Sequence, residues 1–369
     1  MTTKGLEGVV AAESSISSII DGVLTYRGIH IDDLAENASF EEVIYLLWYG
    51  KLPNKAELDQ LKRDLAVNAH IPDELIKHLS LMPKTVHPMA VLRTAVSALS
   101  LYDDEADQMD KEANLRKAVR LQAKIGTIVA AFARLREGKD PVAPRKDLSY
   151  AANFLYMLKG TEPEEIQEKA FNKALVLHAD HEFNASTFTA RVTVATLSDI
   201  YSGITSAIGA LKGPLHGGAN ERVMAMLEEI GEVDKAEAYI LDKLANKEKI
   251  MGFGHRVYKN GDPRAKHLRE MSRQLTQLTG EPKWFEISVK IDEVVQREKG
   301  LLPNVDFYSA SVYQSLGIPR DLFTPIFAVA RTSGWVAHIL EQYNNNRLIR
   351  PRAEYVGPQK QAYVPLEQR

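Results

Sequence analysis

Within residues 249–264, Gly252 and Gly254 bracket Phe253 and deliver His255 from a tight loop. The cationic Arg256 and Lys259 follow, and Asp262-Pro263 opens a helix at whose start Arg264 stands. Such a loop can present a histidine and an anion site together, because glycine reaches left-handed backbone and a helix N-terminus offers free amides. A guanidinium at 264 can clamp a carboxylate with paired hydrogen bonds, although a capped helix start with a solvated arginine is the plainer reading.

Other groups with chemical capacity lie on either side. His216 sits in Gly213-Pro-Leu-His-Gly-Gly-Ala-Asn220, just ahead of a helix whose N-terminus disfavours added positive charge. The spacing predicts a neutral imidazole that uses an N–H as a donor to a carbonyl; a simple turn histidine is the alternative. His178 and His181, three apart, are expected to share a helix face near its C-terminal end. A metal pair is conceivable there, but no third ligand pattern accompanies it, and a capping or hydrogen-bonded histidine is simpler. Asp306 stands at a loop-to-helix junction, where an N-cap is the commonest fate of an aspartate. Arg331 lies inside an apolar helix, where a guanidinium without a partner is costly and calls for an anion. The tail adds Arg347, Arg350 and Arg352.

Composition narrows the chemistry. The chain of 369 residues has length for two domains or one large one. It contains no cysteine, which excludes disulfides, thiolate catalysis and cysteine metal sites, and fits a reducing cytoplasm. With 46 basic and 49 acidic residues, a formal charge of −3 argues against a dedicated nucleic-acid binder, so any anion site must be local. The N-terminus lacks a signal-peptide apolar core and carries acids too early for a transit peptide, so a soluble, unexported protein is expected.

Helices are expected to position these groups. Residues 5–31 read as short strands or hairpins around Asp21-Gly22 and Arg27-Gly28. From Ser39 the pattern turns helical, with capping signals at Ser39/Glu42 and Asn54/Glu57. Further helices are predicted at 72–81, 88–101, 112–136, 150–158, 163–178, 235–245, 263–278, 283–299 and 325–345, and one near Asn220. Without regular strand–helix alternation, a mainly α fold is favoured over a Rossmann or barrel one. The stretch 185–211 is apolar but interrupted by Arg191 and Asp199, so it reads as buried helix rather than a membrane span. Its Gly203, Ala207, Gly209 and Ala210 suit close helix approach, inside a domain or at a subunit interface. Composition changes near 211–218 and 303–311 mark candidate domain boundaries.

Taken in order, five motifs resemble citrate synthase: His-x-Asp-His-Glu at 178–182, Gly-Pro-Leu-His-Gly-Gly-x-Asn at 213–220, Gly-Phe-Gly-His-Arg-Val-Tyr at 252–258, Asp-Pro-Arg at 262–264 and Asn-Val-Asp at 304–306. The likeness covers nearly the whole chain and is strongest to the short, bacterial dimeric form. It implies a two-domain helical fold: a large domain of residues 1–216 and 312–369, dimerising through helices around 187–211, and a small inserted domain of residues 217–311.

The resemblance also implies the reaction, in which acetyl-CoA and oxaloacetate give citrate and CoA. Asp306 matches the base that takes a proton from the acetyl methyl group. His216 matches the residue that stabilises the developing enolate, and His255 the one that polarises and protonates the ketone. His181, Arg264, Arg331 and Arg350 match the oxaloacetate-binding set, with Asn184 at a nearby polar position and Arg350 reaching across from the other subunit of a homodimer. A one-residue gap leaves Arg352 as the alternative to Arg350. For CoA, Arg256, Lys259 and the backbone of Lys249, Ile250, Met251 and Gly252 are the candidates; Met251 stands where many relatives have proline. No metal or redox cofactor is implied. Absence of the N-terminal extension associated with NADH control in longer forms leads us to expect no NADH inhibition. The motifs do not separate this activity from 2-methylcitrate synthase, which takes propionyl-CoA. A metal-dependent hydrolase using His178, His181 and His216, and an inactive helical scaffold, are the readings from other classes.

Overall fold

A computed structural model describes residues 4–6, 8–255, 258 and 260–369. Its β-branched N-terminal runs pair as an antiparallel sheet of three strands, β1 (Ser17–Ile20), β2 (Val23–Tyr26) and β3 (Ile29–His30), in the order β1-β2-β3. The register sets Ile20 opposite Val23 across Asp21-Gly22, two residues with positive φ, as a tight hairpin turn requires.

The remaining elements are helical. They run α1 (Ile31–Asn37), α2 (Phe40–Tyr49), α3 (Lys55–Asn68), α4 (Asp73–Leu81), α5 (Pro88–Leu99), α6 (Lys111–Arg136), α7 (Tyr150–Lys159) and α8 (Glu165–His178). Then come α9 (Ala185–Val194), α10 (Ile200–Leu211), α11 (Ala219–Ile230), α12 (Val233–Ala245), α13 (Ala265–Leu278), α14 (Lys283–Lys299), α15 (Val305–Ser315) and α16 (Phe323–Asn344). The mainly α expectation holds. Among the described residues, no helix is long and apolar enough to cross a membrane.

The two sequence-read caps form complete capping boxes: the Glu42 amide donates to Ser39 Oγ while the Ser39 amide donates to Glu42, and Asn54 and Glu57 repeat the exchange. Each such cap stabilises its helix by about 1 kcal/mol. Helix α1 differs from expectation, since it begins inside what reads as strand; its cap is His30, whose Nδ1 accepts from the Asp32 amide at 3.1 Å.

Helix α16 is the axis of the core. From Phe323 to Ile339 it is buried on every face, and α2, α5, α6, α8, α9 and α10 pack around it. The expected apolar stretch at 185–211 divides into α9 and α10, which lie against each other and against α16. Gly203 is what allows this: a Cβ there would stand 2.7 Å from Val194 Cγ1 and 2.9 Å from Ile339 Cδ1. Helices α11–α15 pack mainly on one another, and touch the α16-centred helices through α11 on α16 and α13 on α8. His181, His216, His255, Arg264, Asp306 and Arg331, drawn from both groups of helices, come together where these groups face each other.

Candidate active site

Gly252 has φ +81°, and a Cβ there would lie 2.9 Å from Phe307 Cβ and from Val223 Cγ2. Both conditions demand glycine. The chain on either side is pinned to the segment entering α15: the Asn304 amide donates to Gly252 O at 2.9 Å, the Gly254 amide to Leu302 O at 3.0 Å, and Asn304 Nδ2 to Gly254 O at 2.9 Å. Phe253 and Pro303 thereby form an antiparallel bridge. The loop that delivers His255 and the start of α15 are one unit.

That unit places Asp306. The expected N-cap role belongs instead to Asn304, whose Oδ1 accepts from the Asp306 amide at 3.0 Å; Asp306 sits in the first turn. With the cap already filled, its side chain is free for another use. Its Oδ1 is buried without a hydrogen-bond partner. Burial pushes the carboxyl up to about 7, with Arg264 opposing, Asp262 adding and Arg331 opposing. The group is thus poised to exchange a proton near neutrality.

Arg264 is 2% exposed and is held by Asp262, Nε at 2.9 Å and Nη2 at 2.8 Å. The same aspartate accepts from the Arg264 amide at 3.0 Å and from the Val305 amide at 3.0 Å. Asp-Pro-Arg is therefore not a solvated capped start: Asp262 fixes the guanidinium and ties it to the first residue of α15. Here the carboxylate in the clamp is the chain's own.

His181 and His255 meet edge to face, with ring centroids 5.2 Å apart. Nε2 of His181 is 2.9 Å from the Tyr258 hydroxyl, while the Tyr258 amide donates to His255 Nδ1 at 3.3 Å. A ring whose Nδ1 accepts carries its hydrogen on Nε2, as a proton donor to a carbonyl must. Burial lowers the His255 pKa, Arg264 lowers it further and Asp262 opposes; the His181 pKa is driven well below its usual range by burial, then by Arg264, Arg331 and His255. His181 does not share a helix face with His178, because α8 ends at His178. His178 Nδ1 instead lies 2.8 Å from Ala174 O within that helix. Among the described residues no cluster of three or more potential ligands could hold a metal ion.

His216 is neutral for a different reason from the one expected. Among the described residues, no hydrogen bond joins the ring to α11, the helix that follows it. The first turn of α9 supplies the partner: the Ser186 amide donates to His216 Nε2 at 3.3 Å, and Ser186 Oγ lies 2.7 Å away. Burial, and then Arg331, lower its pKa to about 4. With Nε2 accepting, the hydrogen resides on Nδ1. Trp335 Nε1 donates to Ser186 Oγ at 3.0 Å, and Asn184 Oδ1 lies 2.8 Å from the same oxygen. Asn184, expected near substrate, commits its side chain to the N-cap of α9, accepting from Thr187 N at 3.1 Å and donating to His181 O at 3.2 Å.

Arg331 is 1% exposed, and its Nε donates to His178 O at 2.8 Å. Its guanidinium lies 4.7 Å from the centroid of the Phe327 ring. It forms no ion pair among the described residues, and burial lowers its pKa to about 10. This is the cation in want of an anion that the apolar helix implied. Arg350 is exposed in the irregular segment after α16. Of the residues expected for CoA, Arg256 and Lys259 lie outside the described residues; Lys249 is exposed, Ile250 buried and Met251 half-buried. A cavity of about 280 Å³ opens beside His255, Tyr258 and Asp262. The partners Ser186 and Trp335 carry no signal in the sequence that would have singled them out, whereas Tyr258, Asp262 and Asn304 were visible as caps or motif members.

Known proteins resemble this chain in sequence and in fold. The family model described as citrate synthase, C-terminal domain, matches residues 5–352. Citrate synthase 2 of Bacillus subtilis is 70% identical over 368 residues, covering 100% of this chain and 99% of that protein. The crystal structure of citrate synthase from Pyrobaculum aerophilum superposes with a TM-score of 0.94 at 43% identity, covering 99% of this chain and 95% of that one. A ternary complex of citrate synthase from Thermoplasma acidophilum with carboxymethyl coenzyme A and oxaloacetate gives 0.95 at 37% identity, covering 100% of both. A 2-methylcitrate synthase of Corynebacterium glutamicum is more distant, 44% identical over 99% of this chain and 97% of its own length.

Proposed function

The chain belongs to the citrate synthase family, and on that footing we propose that it condenses acetyl-CoA with oxaloacetate through an enol(ate) to citryl-CoA, which water cleaves to citrate and CoA. The observation that carries the residue assignment is the buried, unpartnered Oδ1 of Asp306 facing a site with two cations, Arg264 and Arg331, and neutral histidines.

Asp306 removes a proton from the acetyl methyl group. Electron density moves to the thioester oxygen, where the Nδ1–H of His216 stabilises it; a weak carbon acid yields to a carboxylate only with that help. The enol carbon attacks the ketone of oxaloacetate, and Nε2–H of His255 gives its proton to the alkoxide. A carboxylate of the substrate takes the unpaired guanidinium of Arg331, with Arg264 and His181 completing its site. Holding both reactants in one cleft makes the bond-forming step effectively unimolecular. No metal or redox cofactor enters the route.

Residues 217–311 act as a small domain closing on a large one made of 1–216 and 312–369, and two copies form a dimer in the cytoplasm. Arg350 serves the neighbouring subunit, a reading supported by its exposure on its own chain. Mixed dimers carrying Asp306→Ala on one chain and Arg350→Ala on the other should recover activity that neither variant has alone.

The deciding measurement is kcat/KM for acetyl-CoA against propionyl-CoA at fixed oxaloacetate, with the product identified. A clear preference for acetyl-CoA with citrate as product is expected. A preference for propionyl-CoA would make the chain a 2-methylcitrate synthase, and a chelator-sensitive hydrolysis with no carbon–carbon bond formed would overturn the condensation.

A further inference from the structure

The backbone around His181 is held by a pair of side chains that the reaction does not use. Ser17 of β1 and Tyr26 of β2 stand directly opposite each other in the sheet register. Opposite residues of an antiparallel pair project from the same face of a sheet. Here that face meets the turn after α8, which carries His181.

Ser17 brackets the histidine. The Glu182 amide donates to its Oγ at 2.9 Å, and the hydroxyl hydrogen goes to Asp180 Oδ2. One side chain thus holds both the residue before His181 and the residue after it. Tyr26 is fully buried and grips the turn from its N-terminal side: its hydroxyl accepts from the Asp180 amide at 3.2 Å and lies 3.0 Å from Asp180 O and 3.1 Å from Val176 O. Glu182 needs such a hold. Its φ of +51° is left-handed backbone, which a residue with a side chain keeps only where its surroundings over-determine it, and such strain gathers at ligand sites.

Helix α16 braces the same turn one step earlier. Arg331 Nε donates to His178 O at 2.8 Å, the Gly334 amide to Ala179 O at 3.1 Å, and His338 Nε2 stands 3.3 Å from the Asp180 carboxylate. None of these contacts reaches past Asp180. Beyond it the backbone is held by Ser17 at the Glu182 amide and by Asn184, whose Nδ2 donates to His181 O at 3.2 Å. The ring itself meets Tyr258 at Nε2 and His255 edge to face, so a shift of the turn displaces it within that group.

We propose that Ser17 and Tyr26 are positioning residues for oxaloacetate binding: from one face of the N-terminal sheet they fix the backbone on both sides of His181 and so set where its ring stands. The proposal rests on the assignment of His181 to oxaloacetate.

The test uses the whole enzyme with Ser17→Ala, Ser17→Thr and Tyr26→Phe. KM for oxaloacetate should rise roughly five-fold in Ser17→Ala, the size of one lost hydrogen bond, with kcat and KM for acetyl-CoA within about two-fold of wild type. Ser17→Thr keeps the hydroxyl and should restore the wild-type KM. A rise shared by both substrates, a loss confined to kcat, or a Ser17→Thr that behaves as Ser17→Ala would overturn the proposal, because a hydroxyl needed only by the fold does not single out one substrate. The brace is also read without substrate. In histidine-labelled protein, the imidazole NMR signal of His181, assigned through His181→Asn, should move in Ser17→Ala and return in Ser17→Thr. A signal that stays in place overturns the brace even if citrate forms as expected. A signal that moves while KM for oxaloacetate does not shows a brace that serves no substrate, and it is then the assignment of His181 that falls. Should Ser17→Ala fold poorly, Tyr26→Phe, which loses only a hydroxyl, takes its place in both measurements.

Discussion

The backbone amide of Ser186 and the imidazole Nε2 of His216 are hydrogen-bonded at 3.3 Å, from the first turn of α9 to the loop ahead of α11. This single contact sets the tautomer of a histidine thirty residues away in sequence, leaving the hydrogen on Nδ1 for the thioester oxygen of the proposed mechanism. The Ser186 hydroxyl, 2.7 Å from the same nitrogen, steadies the ring. Ser186→Ala should lower kcat about ten-fold, in keeping with the loss of an orienting partner, while KM for oxaloacetate changes little. Steady-state kinetics check this; an unchanged kcat would mean that the amide alone suffices.

Asp306 ties activity and stability to pH in opposite senses. Its folded-state carboxyl, pushed up to about 7, lies above the unfolded value, so the folded chain binds more protons between about pH 4 and 7. Stability therefore falls with rising pH through that window, while the ionised base that turnover requires accumulates. Asp306→Asn should abolish exchange of the acetyl methyl hydrogens yet raise Tm at pH 8, with the gain shrinking by pH 5. Calorimetry across that range, together with exchange followed by NMR, tests both halves.

Arg331 presents the same opposition for binding. Buried with its Nε on His178 O and no ion pair among the described residues, it carries a desolvation cost that Asp180 offsets in part through space and an incoming anion would relieve further. Arg331→Met should weaken oxaloacetate binding by roughly a hundred-fold, since it removes a charge-assisted contact, and leave the ligand-free protein as stable or more so. Thermal shift with and without oxaloacetate reads both effects; a large loss of ligand-free stability would assign Arg331 to the fold rather than to substrate.

Gly252→Ala tests the loop. The new methyl would meet Phe307 and Val223 at 2.9 Å from a backbone at φ +81°. A destabilisation of about 2 kcal/mol or more is expected from strain and overpacking together, with kcat falling as His255 and Asp306 shift. Denaturant melts and kinetics on one preparation check it.

How much of this was legible follows from sequence distance. The Ser39/Glu42 and Asn54/Glu57 boxes were readable because a cap and its partner lie three residues apart. Helix α1 was not, because its cap is a histidine and it is only seven residues long. The side chains proposed as catalytic were visible as motif members. Their pairings were not: Tyr258, though inside a motif, reaches His181 across 77 positions and Ser186 reaches His216 across 30, and no local pattern encodes such meetings. Even within a motif, roles exchanged. Asp262 read as a helix cap and proved to be the clamp on Arg264, and Asn304 took the cap that Asp306 was expected to fill.

The pairing of Phe253 with Pro303 has a kinetic meaning. Because the backbone that carries His255 is stitched to the backbone that carries Asp306, neither can retract alone. Any excursion wide enough to admit or release a reactant withdraws both at once and restores both at once. Under the proposed mechanism, an acetyl thioester arriving at a half-assembled cleft finds no base in place, so it is neither enolised nor squandered on water before its acceptor is seated.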